Sequence, residues 1–512
     1  MNAPTGSQYQ HYVPQFILRK FSDFVRPGRD TYQNRKDFDR AEKKAKKKAR
    51  VNVFSCSPDF STWQLEQHSC AKVFGIYDMY EAAGSGSAST PEPDGSQAVG
   101  EIEKLLSGLE LAASKIIEKI EHAFSQGTGS FTITRPDKDL LRRFIFIMTY
   151  RSRKFHQRFS HQQPEYTSND REQLLEYMRS KGFSSPREVW LEAIRAFIEV
   201  DLTQGVLEGV DWLMGRAYPP DVQWLRKNMI TTYLCFCTPE DADDEFLLPQ
   251  NAYGVYEGPT YHENWLDWHT FFPIHHRVMI VLRNRFLGPF PPSSVGGSEA
   301  RDVAGREIAM TVLTARFPNK TKARSWLEHM PVTRPSPHYR SVPTQDGEVP
   351  TILVSGGVSD AIVTSHLVFA EQESTYSFQL HRLPHLFTQR INAIYLEEAI
   401  ATDTVIYKSA NGLRRALEWY LEETPHLKDT VTTTPEQYEH LLHGLDAEMV
   451  ERLREGIREE LEKLPEYRRK PYLQMLEAIA RDLGSSCTAR YNILPATSGP
   501  FMELFARPTA SA

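Results

Sequence analysis

The sequence predicts an α+β protein, mostly α-helical, with a central and largely antiparallel sheet and a C-terminal helical pair. Three observations predict it. Ile102, Leu105, Leu106, Leu109, Ala113, Ile116, Ile117, Ile120 and Phe124 recur at three- and four-residue spacing, the pattern of a helix with one buried face. From Met229 the period changes, and short runs rich in β-branched and aromatic residues follow one another to Leu282. Two further stripes, Val450 to Leu464 closed by Pro465 and Tyr472 to Leu483 closed by Gly484, give the terminal pair.

Taken in order, residues 1–8 are polar and read as a disordered end, and 9–424 read as one main body. Flexible insertions are expected near 35–50, 84–97 and 331–350, the first for its charge and the others for Gly, Ser and Pro. Residues 35–50 include Lys43, Lys44, Lys46, Lys47, Lys48 and Arg50, with alanines at four-residue spacing that permit a helix. Val51 to Phe54 is a short strand. A second helix is expected to start near Thr134, with Pro136 in its first turn and Asp137 at the positive end of the dipole. Its apolar line, Leu141, Phe144 and Met148, carries Arg151 on the same side, and a buried arginine must be paired or reach water. Helical patterns continue to Leu213.

Strands are expected over Ile230–Phe236, Glu245–Leu248, Tyr253–Tyr256, His269–Phe272 and Val278–Leu282, the last apolar on both faces and so covered on both sides. Glu299 to Thr314 and Asn319 to Met330 are moderately helical. Strands over Thr351–Val354 and Thr375–Leu380 precede a helix from Pro384. Residues 425–484 form the C-terminal helical region and 485–512 a tail.

Composition narrows the function classes. The chain has 512 residues, 40% hydrophobic and 25% charged, with net charge −6, so no global basic field points to nucleic acid. A nonspecific contact with nucleic acid through Lys43 to Arg50, or a nuclear import signal there, is set against a solvated insertion, which the lack of interleaved aromatics favours. Five cysteines, Cys56, Cys70, Cys235, Cys237 and Cys487, have no zinc-site spacing and read as free thiols of a reducing compartment. With no signal-peptide pattern and no long apolar run, a cytoplasmic or nuclear location is expected.

The opening motif His11-Tyr12-Val13-Pro14-Gln15-Phe16, continued by Leu18-Arg19-Lys20-Phe21-Ser22, resembles that of the domain-of-unknown-function family numbered 4238, found in fungi and bacteria. Further blocks fit the fungal branch: Val73 to Tyr80, Glu101 to Lys104, Arg143 to Met148 with Tyr150-Arg151-Ser152, Asn251 to Gly258, and His269 to Arg283. They cover about residues 9 to 400 in order. The chain departs from the family pattern after Pro273-Ile274, where His275-His276 replaces a small polar residue. The resemblance implies no established activity, catalytic residue or cofactor.

The candidate site residues come from these blocks. His11, Glu257 and His275 are the catalytic candidates, Arg151 and Asn251 the binding ones, with His269 and His276 nearby. A histidine with a carboxylate does acid–base work, several histidines with Glu257 hold a divalent metal, and an arginine steadies a phosphate oxyanion. Each has a packing alternative. His11 could pin the chain end, Asn251 to Gly254 read as a turn, and His275 and His276 would face opposite ways on a strand. No P-loop, dinucleotide fingerprint, nucleophile elbow or zincin motif is present. The favoured expectation is a noncatalytic binding or regulatory protein. The alternative is a metal-assisted hydrolase acting on phosphodiesters or nucleic acid. No cofactor or metal is assigned.

Overall fold

The opening motif is built into the fold. Strand β1 (Tyr9–His11) pairs antiparallel with β4 (Gly75–Tyr77), and the Tyr12 N–H donates to Phe74 O at 3.1 Å. The chain then turns through α1 (Gln15–Leu18), burying Val13, Ile17, Leu18 and Phe21. Each such side chain contributes roughly 1.5–3 kcal/mol by leaving water.

The structure is a computed structural model. It describes residues 8–56, 63–80, 93–160, 166, 170–202, 206–261, 264–285, 287, 310, 311, 314, 317, 323–338, 374–400 and 404–423. The expected C-terminal pair, the tail and the strand at Thr351–Val354 lie outside these residues.

Helix α2 (Arg35–Lys48) covers most of the basic segment and leads into β2 (Arg50–Cys56), which pairs with β3 (Trp63–Ser69). The long helix α3 (Pro93–Ser125) begins inside the stretch expected to be a loop, at Pro93, where the proline's missing N–H costs a helix nothing. Its expected stripe is the buried one: Ile102, Leu106, Leu109, Ala113, Ile116, Ile117 and Ile120 are all in the core. β5 (Ser130–Thr134) runs into α4 (Arg135–Tyr150), whose N-cap Thr134 accepts from the Asp137 N–H at 3.2 Å. The helical layer continues through α5 (Arg153–Ser160), α6 (Arg171–Lys181), α7 (Pro186–Glu199), α8 (Val206–Met214) and α9 (Pro219–Thr231).

β6 (Thr232–Pro239) starts two residues later than its β-branched composition suggests, because Ile230 and Thr231 complete α9. β7 is short (Leu248–Pro249) and Glu245 is not in a strand. Ala252–Gly254 is a 3-10 turn rather than a strand, followed by β8 (Tyr256–Glu257), β9 (Thr260–Tyr261) and β10 (Asn264–Trp265). β11 (His269–His275) and β12 (Val278–Asn284) make a hairpin turning at His276-Arg277. Every residue of β12 is buried, as expected for a strand covered on both faces. Ala323 to Met330, read from sequence as helical, contains turns only. β13 (Ser336–His338), β14 (Thr375–Leu383), α10 (His385–Ile400), β15 (Thr404–Tyr407) and α11 (Ala410–Glu423) complete the described chain.

The fold is α+β and mostly helical. The main sheet runs β13-β14-β6-β12-β11-β8, with β5 also on β14, and a second sheet runs β3-β2-β15-β7. Among the described residues all strand pairings are antiparallel except β14 with β6, where Leu380 lies opposite Phe236. Cys70, Cys235 and Cys237 are free and buried. Among the described residues no helix is long and apolar enough to cross a membrane.

Candidate functional site

The β11–β12 hairpin sets a polar row across the main sheet. Strand register places His269 opposite Glu257 on one side and opposite Arg283 on the other. Cross-strand partners share a face, so three side chains far apart in sequence meet in line. The His269 Nδ1–H donates to Glu257 Oε2 at 2.8 Å, and Arg283 Nη1 donates to His269 Nε2 at 2.8 Å. These two bonds assign the neutral, Nδ1-protonated tautomer. Arg283 also donates to the carbonyls of Leu327 (3.2 Å), Leu287 (2.9 Å) and Glu328 (2.7 Å). Glu257 accepts from Ser325 Oγ at 2.9 Å and from the Trp326 N–H at 2.7 Å. His269 is fully buried, and that desolvation pulls its pKa down to about 4 despite the Glu257 carboxylate, which opposes the shift.

Serine, histidine and glutamate thus lie together, but not in the arrangement that activates a nucleophile. That chemistry needs the hydroxyl on one ring nitrogen and the orienting carboxylate on the other. Here Ser325 Oγ is 3.4 Å from Nδ1, on the carboxylate's own side, and Nε2 is taken by Arg283. The row holds the segment around Ser325 and Trp326 against the sheet.

His275 lies at the other end of β11. Six residues of strand rise place it about 20 Å from His269, so Glu257 and His275 do not share a pocket. The expectation that His275 and His276 face apart is corrected: their ring centroids are 4.0 Å apart. Strand alternation ends at His275, and His276 is the first turn residue, so the period of two no longer applies. His275 Nδ1 accepts from the Arg277 N–H at 3.0 Å, and His276 Nδ1 donates to Lys20 O at 2.9 Å. Burial pulls His275 down to about 2 and His276 to about 4, with nearby cations acting in the same direction.

His11 is half-buried. Its Nε2–H donates to Cys70 O at 3.2 Å, and Gln15 Nε2 lies 3.5 Å from its Nδ1. Burial lowers its pKa, opposed by the Cys70 carbonyl and reinforced by the positive charges of Arg151 and Arg19. Arg151 ends α4, is 2% exposed and forms an ion pair with Glu110 of α3 at 2.6 Å. Asn251 is buried and opens the 3-10 turn, its carbonyl accepting from the Gly254 N–H at 2.8 Å. The next turn residue but one, Tyr253, feels the Arg151 charge and donates its hydroxyl to Pro273 O at 2.9 Å. The structure therefore brings His11 near Arg151 and separates Glu257 from His275.

One cluster escaped the sequence reading. Asp241, Asp244 and His385 place potential ligand atoms within 4.8 Å of one another. Arg415 enters the same cluster, 2.6 Å from Asp241 Oδ2 and 3.0 Å from Asp244 Oδ1, and the His385 Nδ1–H donates to Asp244 Oδ2 at 2.8 Å. The Asp243 N–H and the Arg415 guanidinium hold the Asp241 carboxyl below its ordinary range. The single guanidinium offsets one of the carboxylate charges it touches. The crowding of Asp241, Asp243 and Asp244 was visible in sequence, but their partners lie more than 140 residues away.

Fold and site together define a mostly helical α+β protein with a buried histidine–carboxylate–guanidinium row across its main sheet. Residues 9–411 match the model of a family described as "Protein of unknown function (DUF4238)", and the chain belongs to that family. Comparison with curated proteins and with solved structures gave no match.

Proposed function

We propose that this chain is a noncatalytic binding or regulatory protein. The observation that carries the reading is the commitment of His269: both ring nitrogens are bonded within the row, and the adjacent hydroxyl is on the wrong nitrogen for general-base activation. His11 supports it in the same way, with bonding partners at both nitrogens. Under this reading Glu257, His269, Arg283 and Arg151 hold distant segments in register, and an exposed surface does the binding.

The competing hydrolase reading uses His11, Glu257 and His275, or a metal held by Asp241, Asp244 and His385. Two measurements separate the readings. Purified full-length protein is assayed against a phosphodiester, a phosphomonoester and a carboxylic ester, with and without added Mg, Mn or Zn. His11→Ala, Glu257→Gln and Asp244→Asn variants run beside it. No turnover above buffer is expected from any of them. Turnover by the wild type that one of these substitutions abolishes, while the melting temperature is kept, defeats the noncatalytic reading.

A further inference from the structure

Helix α2 has two unlike sides. Its N-cap Asn34 accepts from the Asp37 N–H at 2.9 Å, and its inner side carries buried Phe38 and half-buried Glu42 and Ala45. Arg26 and Arg29 stack on the Phe38 ring at 5.9 and 5.3 Å, and Glu42 pairs with Arg26 and Lys46, each at 3.1 Å. At its end Ala49 is buried, and its carbonyl accepts from the Cys70 N–H at 3.1 Å. The helix is therefore held along one side by the segment before it and tied at its C-terminal end to Cys70.

At 100° per residue the side opposite Phe38, Glu42 and Ala45 carries Lys36, Arg40, Lys43 and Lys47, flanked by Lys44 and Lys48. All six are exposed. Arg40 lies 3.5 Å from Asp37, whereas the five lysines have no acidic partner among the described residues. The helix holds eight Lys and Arg against three Asp and Glu, in a chain of net charge −6. Lys36 to Lys47 span about 17 Å of helix axis.

We propose that this outward face of α2 binds the phosphate backbone of nucleic acid without reading its sequence. The proposal rests on the binding role argued above and names its partner. A protein interface is anchored by buried aromatic or apolar residues, and this face has none. An interfacial membrane helix inserts an apolar side, and the one large apolar residue of α2, Phe38, is covered by Arg26, Arg29 and Tyr32. What remains is a row of point charges. A nucleic-acid duplex carries one negative charge per about 1.7 Å of axis and releases condensed counterions when lysines replace them, so binding needs no shape complementarity. Exposed lysines in place of bidentate arginines or stacking aromatics leave base edges unread.

The test is fluorescence anisotropy of the full chain with labelled random-sequence DNA and RNA duplexes from 50 to 200 mM salt. Four phosphate contacts give a log–log slope of about −3.6, an affinity loss of about 150-fold over that range. The variant Lys36→Gln/Lys43→Gln/Lys44→Gln/Lys47→Gln should bind at least about tenfold more weakly at low salt, with a flattened slope. Lys104→Gln/Lys115→Gln on α3 should leave both unchanged. Far-UV circular dichroism verifies the fold; if the fourfold variant loses helix, Lys43→Gln alone should lower the slope by about 0.9. Wild-type affinity and slope in the α2 variants would overturn the proposal, as would phosphatidylserine vesicles or an acidic peptide binding where the duplex does not. Cleavage of the bound duplex overturns the noncatalytic reading instead, and leaves the contact standing.

Discussion

Replacing His269 with asparagine tests the buried row. Asparagine keeps a donor near the Nδ1 position for Glu257, loses the acceptor that Arg283 uses, and does not titrate. Burial holds His269 near 4 in the folded chain, against 6.5 when exposed. Above pH 6.5 the ring is neutral in both states, and below about 4 it is protonated in both. Between these values only the unfolded chain takes up the proton, so wild-type stability falls as pH falls. A gap of roughly two units is worth about 3 kcal/mol in full, of which about 2 kcal/mol is lost between pH 7 and pH 5. His156, His275 and His276, also pulled down by burial, give the same loss in both proteins and cancel. Urea midpoints at pH 7, 6 and 5, read from tryptophan fluorescence with buried Trp268 next to the row, supply the measurement. His269→Asn should cost about 1–3 kcal/mol at pH 7 through the acceptor lost to Arg283. It should then lose about 2 kcal/mol less than wild type on going to pH 5. Equal losses in the two proteins would refute a buried neutral imidazole.

Three further perturbations follow from the packing. Phe21→Ala removes a fully buried ring at the end of the opening motif and should destabilise by about 3–5 kcal/mol, seen as a lower melting temperature. Glu110→Gln leaves the buried Arg151 charge uncompensated and should cost about 3–5 kcal/mol, whereas Glu110→Leu with Arg151→Leu should recover most of it. Added phosphate restoring the Glu110→Gln protein would show that Arg151 accepts an anion. Arg415→Ala leaves the fully buried Asp244 carboxylate, among the described residues, with His385 and Gln389 as side-chain partners, and should cost about 2 kcal/mol or more by the same thermal assay.

Local physics made the helices legible. α3 and α4 show unbroken stripes, and Thr134, Pro136 and Asp137 mark the start of α4 through capping, fixed φ and the dipole. Where tertiary structure overrides composition, the sequence misleads. Ile230 and Thr231 are β-branched yet helical, and Tyr253 lies in a 3-10 turn because its hydroxyl reaches Pro273 O. The site was legible residue by residue but not as a site. Glu257 and His269 stood out singly. Their joining needs the hairpin register that sets Arg283 opposite His269, and the return of Ser325 from 56 residues beyond His269. Hairpin symmetry about His276-Arg277 gives the first only once the β-bulge between Pro273 and His275 is counted, since without it His269 would face Asn284. Nothing local gives the second.

Residues of the blocks that carry the family resemblance, together with Gln10 and Asn392 outside those blocks, share a physical role, and it bears on why the motif reads as distinctive without reading as chemistry. Gln10 donates to Glu103 Oε1 at 2.7 Å and accepts from the Tyr80 N–H at 2.9 Å, tying β1 to α3 and to the turn after β4. His11 reaches the Cys70 carbonyl, Arg151 ties α4 to α3, and Glu257 holds Ser325 and Trp326. Asn392 of α10 donates to Glu245 O at 2.8 Å and accepts from the Leu247 N–H at 3.1 Å. Each is a polar side chain closing a long loop between buried segments, where an unmade hydrogen bond costs about 1–3 kcal/mol. Such positions demand a particular donor or acceptor as strictly as a catalytic site does, so they give sharp motifs for structural reasons. The exposed lysines of α2 face the opposite demand: any cation at about the right spacing serves. A binding function carried there leaves only a charge pattern in the sequence.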